Sequence, residues 1–256
     1  MVAGLPAGLG EALPRLAHTP SLLVALDFDG TLAPIVDDPA EARALPEART
    51  AILRLLAARR TSVAVISGRA LDSLITVADL PETVDLVGSH GIEFRLDGTR
   101  SVVTLSEAER VRLGQLRRAI GEVADAFEGV WLESKPAGVA LHTRLAADSD
   151  GDAAVQQALE RGAEVSGITT RHGSKVIEFS VRAGDKGEAI DRLRRQAGAT
   201  AILFAGDDVT DEDAFAALGP TDVGLKVGAG PTLAGFRVPG PAEVPPVLEL
   251  LADLRS

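Results

Sequence analysis

The chain has 256 residues, 46% of them apolar and 25% charged, with no cysteine and a net charge of −11. These values describe a globular protein long enough for one large or two small domains. They exclude a disulfide framework and thiolate chemistry, and they argue against a nucleic-acid surface, which needs a basic stripe.

No run approaches the roughly 20 apolar residues a bilayer span needs. Met1–Pro20 lacks a basic region followed by an apolar block, so no secretory signal is expected and a cytoplasmic location is. Basic residues are lopsided. Lys135, Lys175, Lys186 and Lys226 are the only lysines, and the other 22 are arginine. A lone charged side chain is usually just solvated. In so arginine-rich a chain, however, each lysine marks a place where a compact ammonium could be wanted.

In chain order, Ser21–Phe28 is an apolar run read as a buried strand, and Pro46–Arg59 carries helical spacing. Ser62–Ile66 and Val84–Val87 read as further buried strands. Ser106–Phe127 reads as a helix, then Val130–Ser134 and Val139–Arg144 as a hairpin turning at Pro136–Gly138. Asp152–Arg161 is a second helix, and Ile168–Arg171 with Lys175–Val181 a second hairpin turning at His172–Ser174. A helix over Lys186–Ala197, a strand at Ala201–Ala205, a helix over Asp211–Leu218 and a strand at Val223–Val227 follow. The alternation predicts an α/β fold with a parallel sheet core. Residues 104–181 are expected as an inserted small α+β (αββαββ) domain, and 1–103 with 182–256 as the core.

Four segments carry candidate chemistry. Asp27-Phe28-Asp29-Gly30-Thr31-Leu32 follows the first strand directly. Asp27 and Asp29 leave its tip on one side, because side chains alternate with period two. Two close acids repel unless a cation or shared proton intervenes, and a hard ion such as Mg²⁺ suits oxygen donors. Ser67-Gly68-Arg69 follows the second strand, where a hydroxyl and free N–H groups ahead of a helix could take an anion or simply cap the helix. Asp185-Lys186-Gly187-Glu188 opens a helix. Asp185 and Glu188 read as a capping pair, whereas Lys186 opposes the helix dipole unless an anion faces it. In Gly206–Asp213, Thr210 reads as an N-cap, and Asp211, Glu212 and Asp213 as first-turn acids. Asp207 and Asp208 leave a strand end as Asp27 does. In a parallel sheet those ends converge on one edge, where ligands bind.

The four segments, in this order, resemble the motifs of the haloacid dehalogenase-like phosphatases, whose core is a Rossmann-like parallel sheet. The αββαββ insert resembles the cap of the subgroup acting on sugar phosphates. Within that subgroup the chain resembles the trehalose-6-phosphate phosphatase family. Gly88–Glu93, Glu133-Ser134-Lys135 with His142-Thr143-Arg144, and Gly173-Ser174-Lys175-Val176-Ile177-Glu178 carry the likeness, which covers about Ser21 to Val227. Thr143 stands where that family commonly has an aromatic, and Phe179-Ser180-Val181-Arg182 where it commonly has Arg-Pro.

The resemblance implies a Mg²⁺-dependent phosphatase with Asp27 as nucleophile and Asp29 as general acid, then base. It implies Ser67 and Lys186 on phosphoryl oxygens. The implied metal set is Asp27, Asp29 (through its backbone carbonyl), Asp207 and Asp208, with Asp211 in close support. Gly68, Arg69, His90, Gly91, Glu133, Lys135 and Glu178 are the implied substrate contacts. The expected partner is a small sugar phosphate, with no nucleic acid or membrane, and the expected state a monomer. Two alternatives stay open: a same-fold phosphatase for sucrose phosphate or a mannosyl or glucosyl phosphoglycerate, and a non-catalytic regulatory domain.

Overall fold

A computed structural model describes residues 5–173 and 175–256; Met1 and the expected turn residue Ser174 lie outside the described residues. The chain divides into two compact units, one of residues 5–101 with 185–256 and one of 102–184.

The first unit is built on an eight-stranded sheet. In chain order its strands are β1 (Leu22–Asp27), β2 (Thr61–Ile66), β3 (Asp85–Gly88), β4 (Glu93–Leu96), β5 (Thr99–Val102), β10 (Ala201–Gly206), β11 (Val223–Val227) and β12 (Phe236–Val238). Their spatial order is β12-β11-β10-β1-β2-β3-β4-β5. Strands β12 through β3 run parallel, and β4 turns back antiparallel on β3. The chain leaves β1 toward β2 on one side and later returns to β10 on the other, so β1 ends at the point where strand order reverses. A crevice for ligands opens at such a point.

All six residues of β1 are buried, as expected of a parallel strand covered on both faces. Leu22, Val24 and Leu26 pack with α1 (Leu9–Ala17), α2 (Pro46–Ala57), α3 (Leu71–Ala78) and α8 (Val244–Arg255). Helix α6 (Lys186–Ala197) lies against β1 and β2 and beside α7 (Asp211–Ala216).

Parallel strands β1, β2, β3, β10 and β11 match the apolar runs of the sequence, but α1, β4, β5, β12 and α8 were not anticipated. Pro241 precedes α8, and Pro245 and Pro246 lie in its first turn, although proline usually breaks a helix. Proline in a first helical turn costs no hydrogen bond, however, and Val247, Leu248 and Leu251 are fully buried. At the end of α8 the Arg255 guanidinium donates to Thr61 Oγ1 and to the carbonyls of Ala17, Thr19, Arg59 and Arg60, all at 2.8–2.9 Å. That one side chain ties the end of α1, the start of β2 and α8 together. Arg255→Ala should therefore cost about 2 kcal/mol, since bonds to charged groups are the stronger ones and the freed carbonyls regain water. Thermal unfolding should show Tm lower by about 4–8 °C; an unchanged Tm would show the staple to be inert.

The second unit is a four-stranded antiparallel sheet ordered β6 (Trp131–Lys135), β7 (Gly138–His142), β9 (Val176–Ser180), β8 (Thr169–Gly173), with helices α4 (Glu107–Ala126) and α5 (Asp148–Ala163). Val139, Leu141, Ile177 and Phe179 pack with Leu113, Leu116 and Ile120 of α4 and Ala154 and Ala158 of α5. By the period-two rule, the other sheet face carries Trp131, Glu133, Lys135, Ala140, His142, Arg171 and Glu178. Ser106 caps α4 through a reciprocal pair with Glu109.

Candidate active site

β1 delivers Asp27 to the sheet edge, 4% exposed. The chain then turns at Gly30, which takes φ +81° and donates its N–H to the Ala33 carbonyl at 2.7 Å. A Cβ there would stand 2.1 Å from Asp207 Oδ2, so only glycine lets the first motif lie against the fourth.

Opposite Asp27 stands Lys186, 2% exposed, whose Nζ donates to Asp27 Oδ1 at 2.7 Å and to Asp211 Oδ1 at 2.6 Å. Asp185 sets that lysine's position by capping α6, accepting the Gly187 and Glu188 N–H groups at 2.7 and 3.1 Å. The anion that offsets an ammonium in a first helical turn is thus a pair of carboxylates.

Asp27, Asp207 and Asp211 each bring an oxygen within 4.8 Å of the others. Asp211 was expected as a first-turn acid in close support, and it is fully buried. Its Oδ2 accepts the N–H groups of both Asp207 and Asp208 at 2.9 Å, so it shapes the loop as well as joining the acids. Asp208, expected among the metal ligands, is exposed, and its Oδ1 accepts the Val209 N–H at 2.7 Å instead. Thr210 makes no side-chain cap to α7, and its Oγ1 is buried without a hydrogen-bond partner.

Electrostatics at this cluster run against the acids. Burial pushes the Asp27 carboxyl well above its usual range; the Lys186 ammonium pulls it back, and Asp211 and Asp207 push it further up. Asp207 is raised by burial and then by Asp211. Burial works to lower Lys186, but Asp27 and Asp211 outweigh it and raise its pKa. Three carboxylates and one ammonium leave an excess of negative charge where Asp27, Asp211 and Lys186 are buried and Asp207 half-buried. A divalent ion with oxygen ligands matches that excess. The Oδ1 atom of Asp207, buried and without a hydrogen-bond partner, is the donor such an ion would use. The residues present fit Mg²⁺.

Asp29 sits two residues on and pairs with Arg69: Nε to Oδ2 and Nη2 to Oδ1, both 2.6 Å. Arg69 also donates to the Pro39 carbonyl at 2.7 Å. The expected substrate arginine is therefore engaged with the other acid of the first motif. Ser67 is 1% exposed; its Oγ accepts the Arg69 N–H at 3.1 Å and its carbonyl the His90 N–H at 2.9 Å. A Cβ on Gly68 would stand 2.4 Å from His90 Nε2, which places His90 over the second motif. Ser89, His90 and Gly91 all take positive φ, at 50°, 55° and 110°. Such a run stores strain of the kind found at functional sites. At Gly91 a Cβ would stand 2.7 Å from the Asp185 carbonyl, so this loop abuts the start of α6.

On the second unit, Glu133 and Glu178 both face Ala140 across the sheet register, and Arg171 lies opposite Glu178. Lys135 pairs with Glu178, and His142 Nε2 lies 2.8 Å from Glu133 Oε2. The Trp131 ring stacks on His142 with centroids 4.7 Å apart. The three expected residues thus share one face. Trp131 and Arg171 join them there unannounced; the period-two alternation within each strand was the available signal.

The trehalose-phosphatase family model matches residues 25–237. The trehalose-phosphate phosphatase of Mycobacterium tuberculosis (strain H37Rv) is 37% identical over 95% of this chain and 64% of its own length. That of Mycobacterium leprae is 35% identical over 95% of this chain and 62% of its own. The chain thus spans less than two thirds of the length of these relatives. A crystal structure described as a trehalose-6-phosphate phosphatase related protein superposes with a TM-score of 0.68 at 27% identity, over 91% of this chain and 97% of its own.

Proposed function

The chain belongs to the trehalose-phosphatase family, and from there we propose that it hydrolyses trehalose 6-phosphate to trehalose and inorganic phosphate, with Mg²⁺ bound, by way of a phosphoryl group carried on Asp27. One observation carries this reading. A buried carboxylate ends the central strand, held by a buried lysine and grouped with two further acids whose oxygens lie within 4.8 Å.

In this mechanism the Asp27 carboxylate attacks phosphorus while Asp29 protonates the departing sugar oxygen. Asp29 then takes a proton from the water that cleaves the aspartyl-phosphate. Its bidentate pair with Arg69 supports a role for that arginine in aiming it. Lys186 and Ser67 hold phosphoryl oxygens and offset charge as it develops. Asp27, Asp207 and Asp211 would hold Mg²⁺, with the backbone carbonyl of Asp29 as a further candidate ligand. When bound, the ion supplies the positive charge that keeps Asp27 ionised. Glu133, Lys135 and Glu178 would take sugar hydroxyls, because an ionised carboxylate accepts several hydrogen bonds. The same reading has the protein working in the cytoplasm as a monomer on a small molecule, with neither nucleic acid nor membrane as partner.

Phosphate release is to be measured on trehalose 6-phosphate, sucrose phosphate, mannosyl and glucosyl phosphoglycerate and glucose 6-phosphate, with Mg²⁺ and with a chelator. Turnover should vanish with the chelator. Trehalose 6-phosphate should lead glucose 6-phosphate by ~10²-fold in kcat/KM, since losing the second ring forfeits two or three hydroxyl bonds of about 1–1.5 kcal/mol each. Ala at Glu133, Lys135 or Glu178 should narrow that gap by slowing the disaccharide and leave a small aryl phosphate nearly unaffected. Equal rates on the two sugars would sink the trehalose assignment, and full activity in chelator would sink the metal.

A further inference from the structure

Lys226 is the buried lysine that the mechanism above does not use. It lies on β11, all five residues of which are buried, and is itself 3% exposed. Its Cα pairs with Gly206, the last residue of β10, so its side chain starts beside the strand end that launches Asp207. The Nζ atom reaches the Asp207 carbonyl at 2.5 Å and the Asp208 carbonyl at 3.4 Å, with Glu212 Oε1 at 3.6 Å. Glu212 in turn accepts the Leu233 N–H at 2.7 Å through its other oxygen.

The Asp207–Asp208 backbone is therefore gripped from both sides. Its N–H groups end on the Asp211 carboxylate, and its carbonyls on the Lys226 ammonium. Asp211 is also bonded to Lys186, which is bonded to Asp27. One continuous set of charge-assisted bonds thus fixes the peptide groups on either side of the Asp207 side chain. Among the oxygens of the three grouped acids, Asp207 Oδ1 is buried and makes no hydrogen bond.

We propose that Lys226 is a positioning residue for divalent-cation binding: it locks the Asp207 loop so that the Asp207 carboxylate is preset beside Asp27 and Asp211. This rests on the reading that those three acids hold Mg²⁺. A buried ammonium is costly to desolvate, and here its donors are spent on the two peptide carbonyls of the Asp207–Asp208 segment. Outer partners of metal ligands act in this way, orienting the ligand while touching neither ion nor substrate, and their loss costs about 10- to 100-fold in metal affinity.

The sign of one number separates this from simple gap-filling. A positive charge near a cation repels it, so if Lys226 only filled space, Lys226→Met would leave Mg²⁺ affinity unchanged or improve it. If the lysine positions Asp207, the same change weakens binding despite the removed repulsion.

Mg²⁺ binding is to be measured by titration calorimetry on the full chain, beside chelator-treated melting. The unmodified protein should bind Mg²⁺, and Asp207→Asn should abolish the heat; failure at this stage overturns the metal reading itself. Given normal binding, Lys226→Met should raise the Mg²⁺ Kd about tenfold or more, while Lys226→Arg, which keeps charge and donors, restores much of it. An unchanged or lower Kd in Lys226→Met overturns the proposal. If that variant does not fold, Lys226→Gln is read by the same criterion, and failure of both to fold would assign the lysine to the core alone.

Discussion

Asp27→Asn should lower kcat by about 10⁴-fold or more, because the amide keeps the shape of the carboxylate but is a poor nucleophile, and losses of that order follow removal of an attacking group. The fold should survive the change and, without metal, gain from it. Asp27 is buried and its pKa is raised. A folded state that holds a proton more tightly than the unfolded chain has this contribution in full at pH below the unfolded pKa near 4. It loses it as pH rises through the higher folded value. In chelator, then, the unmodified protein should melt lower at pH 8 than at pH 5, and the Asn variant should show less of that decline. Mg²⁺ should remove most of the decline in the unmodified chain, since a ligand bound to the folded state stabilises it by mass action. A variant that turns over normally would show that Asp27 does not attack phosphorus. A variant that melts far lower would show that its carboxylate is structural.

Lys186→Met should bring a loss of about 10²–10³-fold in kcat, the range seen when one donor to a developing negative charge is removed. Here stability should fall too. The ammonium is 2% exposed and serves both Asp27 and Asp211. Removing one partner of a buried ion pair leaves uncompensated charge, at about 3–5 kcal/mol. In chelator, Tm should drop by about 10 °C, and saturating Mg²⁺ should recover part of it, because the ion neutralises the same acids. The two substitutions thus move stability in opposite directions while both remove activity. Matching Tm changes would mean that the three acids and the lysine do not behave as one electrostatic unit.

The parts of this site that were legible in the sequence are those fixed by strand ends. Asp27, Ser67 and Asp207 each follow an apolar run, and a parallel sheet brings such ends together whatever the helices do. Lys186 was legible because it is the wrong charge for a first helical turn. Asp211 was harder to see. As a first-turn acid it has an ordinary explanation, and its larger role depends on how the Asp207–Asp208 loop folds back over α7. Asp208 carries the same ambiguity: its carboxylate is exposed and accepts the Val209 N–H, while that of Asp207 lies beside Asp27 and Asp211, a difference set by loop geometry that no sequence pattern encodes. Lys226 was marked only as one of four lysines in an arginine-rich chain, since a lysine inside an apolar strand has no local pattern to announce its target.

The fold follows the same division. Strands buried on both faces read clearly as continuous apolar runs. The antiparallel turn-back of β4 and β5 did not, because Glu93, Arg95, Arg100 and Ser101 break the apolar signal in four-residue strands. Helix α8 was hidden behind its own prolines.

The central claim is that a phosphoryl group passes through Asp27, and chemical trapping tests it most directly. The protein is to be mixed with trehalose 6-phosphate and Mg²⁺, quenched within a turnover, and treated with borohydride, which reduces an acyl phosphate to an alcohol. Peptide mass spectrometry should then find the modification at Asp27 and not at Asp29, Asp207 or Asp211, and none when a chelator replaces Mg²⁺. Continued phosphate release with Asp27 unmodified at every quench time would contradict the account.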